Sequence, residues 1–226
     1  MDAKPSIFVA APNLGTLRVE HTNNLMSWFL SGKYRMRWSC LKNVQPGYAA
    51  RNQCHRDFLE DGSFDYMLCL DADTIPPVDV IDRLLDDDKD MVSATVQTLK
   101  ESKEGEINLI PVAFRWDESD KEDIGYHIHA DKGLVEVDMG TLACCLIKKK
   151  VLEKVGPGAF TNWYDDEWNI KGKTGDFCFS ERVREVGFHI WNDYRILCDH
   201  FLKEISTKQI NALMLQAQEA GSAKGN

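Results

Sequence analysis

The run Tyr66-Met67-Leu68-Cys69-Leu70 is apolar throughout and is followed at once by Asp71-Ala72-Asp73-Thr74. A strand with apolar side chains on both faces belongs in the middle of a sheet covered by helices on each side. Its surroundings agree with that placement. Residues 49–60 are rich in helix formers and stop at Asp61-Gly62, the usual way a helix ends. Pro76 and Pro77 then open a helical stretch through residue 85, since proline in a first turn removes no helical hydrogen bond. Residues 91–96 read as the next strand.

The same alternation holds upstream. Ile7-Phe8-Val9-Ala10-Ala11 is a short apolar run that stops at Pro12-Asn13-Leu14-Gly15, and helical patterning follows over residues 16–30. Residues 34–41 alternate basic and apolar side chains, as in a strand exposed on one face, before Gln45-Pro46-Gly47 turns the chain. Helices alternating with strands predict an α/β fold with a mainly parallel central sheet, flanking helices and right-handed crossovers. Ligands of such sheets bind at the carboxyl ends of the strands, so Asp71 and Asp73 are expected in a crevice.

After residue 96 the pattern shortens. Residues 109–116, 134–137 and 141–147 read as β pieces of a smaller mixed sheet, with a helix over 149–155. A helix over 177–185 closes at Gly187, 190–196 reads as a last strand, and 206–220 reads as a helix capped by Ser206. With 226 residues and no internal linker, residues 1–219 are expected to form one domain and 220–226 a loose tail. No leader or run of bilayer-spanning length is present, so a soluble cytoplasmic protein is the expectation. Seven cysteines without paired spacing read as reduced, mostly buried thiols. A net charge of −9 argues against general affinity for nucleic acid or anionic lipid, and Asp86-Asp87-Asp88 reads as a solvated turn.

The chemistry concentrates in a few places. Two carboxylates one residue apart in extended chain point the same way, so Asp71 and Asp73 can share a cation. Hard oxygen ligands suit Mg²⁺ or Mn²⁺, which also binds a nucleotide diphosphate. His200, after the last strand, is either a structural histidine or a late metal ligand, with Asp199 as its competitor. Asp176 opens a helix. It is either a first-turn charge serving the helix dipole or a base for an acceptor hydroxyl. Arg51 and Asn52, early in their helix, are either solvated surface or partners of a phosphate or nucleobase edge. Trp163, Tyr164 and Trp168, mixed with Asp165, Asp166 and Glu167, read as a sugar-gripping loop or as core aromatics.

In order, these segments resemble family-two glycosyltransferases of the GT-A fold. The resemblance runs from Ile7 to His200 through Ala11-Pro12-Asn13, Ala50-Arg51-Asn52, Leu70-Asp71-Ala72-Asp73, Met139-Gly140-Thr141, Lys148-Lys149-Lys150, Gly175-Asp176 with Gly187, and His200. It implies a Rossmann-like GT-A sheet and metal-dependent transfer of a sugar from a nucleoside diphosphate-sugar to an acceptor hydroxyl. Pro12, Asn13, Arg51, Asn52, Asp71 and Ala72 would then hold the nucleotide, with Mn²⁺ or Mg²⁺ at the Asp-x-Asp (DXD) motif through Asp71, Asp73 and His200. Asp176 matches the family's catalytic base.

The family's Glu-Asp pair reads Gly175-Asp176 here, which leaves Asp165, Asp166 and Glu167 as alternative bases. The processive branch's Gln-x-x-Arg-Trp motif is absent, so one sugar per encounter is expected, by an inverting route. Retaining enzymes of this fold also combine an Asp-x-Asp with a late histidine. A sugar-1-phosphate nucleotidyltransferase is the rival enzyme, although Pro12-Asn13-Leu14-Gly15 lacks its Gly-rich loop. A non-catalytic nucleotide- or sugar-binding module is the rival outside enzymes. The acceptor stays open among glycan, lipid-linked sugar, protein, small molecule and modified nucleobase.

Overall fold

The computed structural model describes residues 4–13, 15–101, 107–116, 126–128, 132–162, 175–202 and 205–206. The first half runs β1 (Ser6–Ala10), α1 (Val19–Ser31), β2 (Arg35–Ser39), α2 (Gly47–Asp61), β3 (Tyr66–Leu70), β4 (Thr74–Ile75), α3 (Val80–Asp86) and β5 (Met91–Thr95). The second half runs β6 (Gln97–Glu101), β7 (Ile107–Pro111), β8 (Ala113–Trp116), β9 (Tyr126–Ile128), β10 (Leu134–Val137), β11 (Met139–Gly140) and β12 (Cys144–Lys148). It ends with α4 (Lys149–Val155), α5 (Gly175–Glu185), β13 (Ile190–Leu197), β14 (Asp199–Leu202) and β15 (Ile205–Ser206).

A seven-stranded sheet in the order β10-β13-β5-β12-β3-β1-β2 carries the fold. The strands β1, β2, β3, β5 and β13 run one way, whereas β12 and β10 run against them. Period-two alternation explains the unbroken apolar runs. Phe8, Met67 and Cys69 face α2, α4 and α5 through Phe58, Leu152 and Phe179, while Ile7, Val9, Leu68 and Leu70 face α1 and α3 through Leu25, Trp28 and Ile81. Each helix layer buries one set, so a central strand must be apolar at every position.

The smaller sheet material is antiparallel and forms three groups, β11-β8-β9, β15-β14-β4 and β6-β7. Several local expectations shift. The 109–116 stretch divides into β7 and β8, because the Val112 amide leaves to bond the Val96 carbonyl at 2.8 Å. Pro76 and Pro77 precede α3 rather than open it, and the Val80 amide bonds the Pro77 carbonyl. Ser206 lies in β15, and the expected helix beyond it falls outside the described residues. Asp87 is not solvated: its side chain is 4% exposed and pairs with Arg195 at 2.5 Å. The cysteines are free, with all but Cys40 buried. Among the described residues no helix is long and apolar enough to cross a membrane.

Gly140 sits where the small β11 meets the main sheet. A Cβ there would lie 2.8 Å from the Ser93 Oγ and 3.2 Å from the Ile190 Cγ2, and the Ser93 hydroxyl is already committed to the Thr141 carbonyl at 2.8 Å. Gly140→Ala should therefore destabilise the chain by about 1–3 kcal/mol, the usual range for overpacking. Urea unfolding measures it, and a change below about 0.5 kcal/mol would mean the contact relaxes freely.

Candidate active site

At the carboxyl ends of β1 and β3 the sheet opens into a cavity of about 590 Å³, within the roughly 300–1,000 Å³ typical of ligand sites. Its walls are Pro12, Asn13, Thr16, Leu17, Arg18, Val44, Gln45, Gly47, Ala50, Arg51, Asp71, Ala72, Asp73 and Phe201. The β1 and β2 ends continue as paired loops, with the Asn13 amide on the Leu41 carbonyl at 2.9 Å and the Asn43 amide on the Asn13 carbonyl at 2.8 Å. The Asn13 side chain is committed to that loop. Its Oδ1 accepts from the Gly15 amide at 2.8 Å and its Nδ2 donates to the Cys40 Sγ at 2.8 Å. Asn13 thus shapes the wall through the loop it braces.

The Asp-x-Asp segment is a turn, not extended chain. The Asp71 amide bonds the Ala143 carbonyl at 2.9 Å as the strand ends, and the Thr74 amide returns to the Asp71 carbonyl at 3.1 Å. The two carboxylates consequently have different partners. Both Asp71 oxygens accept from Arg51 Nη2, at 2.6 and 2.8 Å. Asp73 instead faces His200, with Oδ2 at 3.8 Å from Nε2, an ion-pair distance too long for a hydrogen bond.

Arg51, one turn into α2, also approaches Asp176 Oδ1 with Nη1 at 3.6 Å. Burial opposes the guanidinium's charge, yet the Asp71 and Asp176 carboxylates outweigh it and raise its pKa. Asp176 does not cap its own helix. Its Oδ2 accepts from the Leu142 amide at 3.0 Å, tying α5 to the chain entering β12. Burial pushes the Asp176 carboxyl above the ordinary carboxylate value, Arg51 opposes that shift, and Asp71 adds to it.

His200 is oriented by the backbone. Its Nδ1 lies 2.8 Å from the Gln97 carbonyl, which can only accept, so Nδ1 carries the proton and Nε2 is the nitrogen turned toward Asp73. Burial lowers the imidazole's pKa, but the facing Asp73 carboxylate and the Gln97 carbonyl outweigh it and the value rises overall. On Asp73, burial pushes the carboxyl up and His200 more than offsets it, so the value falls. Among the described residues no three His, Cys, Asp or Glu side chains gather as a metal cage. A carboxylate and an imidazole at a cavity edge nevertheless fit a hard cation whose remaining positions go to substrate phosphates and water. Asp71 meets Arg51 through both of its oxygens, so any place it takes in such a shell is shared with the guanidinium.

Of the residues singled out from sequence, the cavity gathers Pro12, Asn13, Arg51, Asp71, Ala72 and Asp73 in its wall, with His200 against Asp73 and Asp176 behind Arg51. Asn52 turns away. Its Oδ1 accepts from the Phe160 amide at 3.0 Å and its Nδ2 donates to Thr161 Oγ1 at 2.9 Å, so it ties α2 to residues 160–161. Residues 163–168 lie outside the described residues. Sequence reasoning missed Thr16, Leu17, Arg18, Val44, Gln45 and Phe201. The Arg18 guanidinium lies 3.5 Å from the Phe201 ring centroid, a contact between distant segments that no local pattern announces.

No protein-family profile matches the chain, and no curated protein matches it in sequence. Solved structures do. A197 from STIV superposes with a TM-score of 0.55 at 17% identity, covering 88% of this chain and 87% of that one. GalNAc-T7, solved with UDP, GalNAc and Mn²⁺, superposes with a TM-score of 0.51 at 9% identity, covering 88% of this chain. The match spans 44% of the GalNAc-T7 chain. At these identities the likeness is one of architecture: the chain has the GT-A glycosyltransferase fold, a Rossmann-like α/β sheet flanked by helices.

The raised pKa of Asp176 sets a sign for stability. A carboxyl that holds its proton more tightly when folded contributes stability at low pH and loses it as pH rises through the folded pKa. Asp176→Asn keeps an acceptor for the Leu142 amide and removes the half-buried charge. The variant should therefore match or exceed the parent's melting temperature at pH 8, with a smaller advantage at pH 4. Melts at both pH values test this; a variant less stable at pH 8 would show that Arg51 outweighs burial.

Proposed function

We propose that the chain is a glycosyltransferase that moves a sugar from a nucleoside diphosphate-sugar to an acceptor hydroxyl, one sugar per encounter and with inversion. The observation that carries this reading is a single cavity, in a GT-A fold, walled by Asp71, Asp73 and Arg51 with His200 against Asp73. Residues 1–219 would form the catalytic domain and 220–226 a tail, and free thiols suit a reducing, cytoplasmic setting.

In this reading Pro12 and the loop braced by Asn13 border the nucleoside, and Ala72 lets the turn approach it without a bulky side chain. Asp73 and His200 hold Mn²⁺ or Mg²⁺, which supplies Lewis-acid neutralisation of the departing diphosphate. Asp71 acts through Arg51: the pair holds the turn in place and sets the position of Asp73. Asp176 receives the acceptor's proton, a task suited to a carboxyl whose affinity for protons is raised by burial. Arg51 beside it stabilises the ionised form between turnovers.

Calorimetry with UDP and GDP, with Mn²⁺ and with chelator, tests the metal assignment. Nucleotide affinity should depend on the cation, and Asp73→Ala should remove most of that dependence; equal affinity with chelator would sink the assignment. Asp176→Asn should leave nucleotide affinity unchanged while transfer from a donor panel falls by about a hundredfold or more, the usual scale for a lost general base. Near-parental turnover would move the base to Asp165, Asp166 or Glu167.

A further inference from the structure

Helix α1 packs along the chain that leaves the Asp-x-Asp turn, and it meets that chain with hydrogen-bond donors. The Asn24 Nδ2 donates to the Pro76 carbonyl at 2.7 Å, and the Trp28 Nε1 donates to the Val78 carbonyl at 2.6 Å. Both carbonyls lie between β4 and α3. At about 3.6 residues per turn, positions 21, 24 and 28 fall on one side of a helix. His21 therefore continues the row toward the turn itself.

His21 is fully buried, and neither of its ring nitrogens has a hydrogen-bond partner of normal geometry. Burial lowers the imidazole's pKa, and the groups that oppose this are the Asp71 carbonyl and the Asp71 and Asp73 carboxylates. The ring is thus neutral near pH 7, with one N–H to give. A polar ring left without a partner in a core is costly where an apolar ring would pack as well, so such a group calls for an explanation. The turn offers one. The Asp71 carbonyl accepts from the Thr74 amide at 3.1 Å, and a carbonyl oxygen has room for a second donor.

We infer that His21 is a positioning residue that sets the Asp71–Asp73 turn by donating its ring N–H to the Asp71 carbonyl, as the last member of a row with Asn24 and Trp28. The row fixes the backbone from which both carboxylates project. Thr16, Leu17 and Arg18, just before α1, line the cavity, so one helix ties that wall to the acidic turn. The hydrogen bond stands apart from the activity proposed above; only its consequence for nucleotide binding rests on that reading.

Nuclear magnetic resonance of the full chain tests it. In the parent, the His21 ring N–H should give a slowly exchanging proton signal in contact with the Thr74 amide proton, because both donate to one carbonyl. A ring proton that exchanges freely, or lacks that contact, would overturn the inference. His21→Phe fills the buried space without a donor, whereas His21→Asn and His21→Gln each place an N–H near one of the two ring nitrogens. The Phe variant should speed exchange of the Thr74 amide by about tenfold, the scale of one hydrogen bond. Exchange of the Val92 amide in the central strand β5 should stay within about twofold, since it reports opening of the whole core. Either the Asn or the Gln variant should restore Thr74 protection. Unchanged Thr74 exchange, equal acceleration at Val92, or no rescue by either amide would make His21 a packing residue and overturn the inference.

Calorimetry with UDP and Mn²⁺ supplies the second readout. Affinity should fall by about tenfold in His21→Phe and recover in the rescuing variant. A parent that binds no UDP with Mn²⁺ would defeat the proposed activity, while the ring signal and the exchange rates would still decide the role of His21.

Discussion

The charged link from Asp71 through Arg51 to Asp176 is the constraint on which the site depends. A guanidinium taken out of water is tolerated only when carboxylates meet it. Here one carboxylate comes from the end of β3 and the other from the first turn of α5, while the cation comes from α2. Three elements that share one core are thereby also tied by charge at one edge of the sheet. Neutralising Asp176 still leaves Arg51 both of its bonds to Asp71, whereas removing Arg51 would leave two half-buried carboxylates without their cation.

That link also divides the labour of the two aspartates. Because the chain turns between them, Asp71 looks back toward α2 and Asp73 looks outward to His200. His200 is held by the Gln97 carbonyl at the start of β6, so the antiparallel additions around β4, β6 and β14 position an imidazole at the rim of a mainly parallel sheet. The main sheet carries the anionic turn, and the small strands bring the group that faces it. A GT-A fold by itself hosts several chemistries, so it is this local arrangement, and not the architecture, that supports the proposed transfer.

Much of the architecture was legible in sequence, because a strand buried on both faces has to be apolar at every position and the turn that follows has to be polar. The run 66–70 with its two aspartates satisfies both conditions. Helix ends were legible at Gly62 and Gly187 for a similarly local reason: each adopts positive φ where a helix closes. Surroundings that come from far along the chain were not legible. Asp87 lies in an acidic run yet is buried beneath Arg195, and Asn52 faces residues 160–161 instead of the cavity.

What the sequence determined by itself was the order of the main-sheet strands and their flanking helices, and the edge of the sheet at which the acidic turn emerges, because both follow from side-chain periodicity and local hydrogen bonding. What only the tertiary structure decided was pairing. Asp71 belongs to Arg51, Asp73 to His200, and Asp176 to the Leu142 amide as well as to Arg51. Ion pairs and directed hydrogen bonds act over a few ångströms, and which groups come that close is set by how distant segments pack, a relation no local pattern encodes.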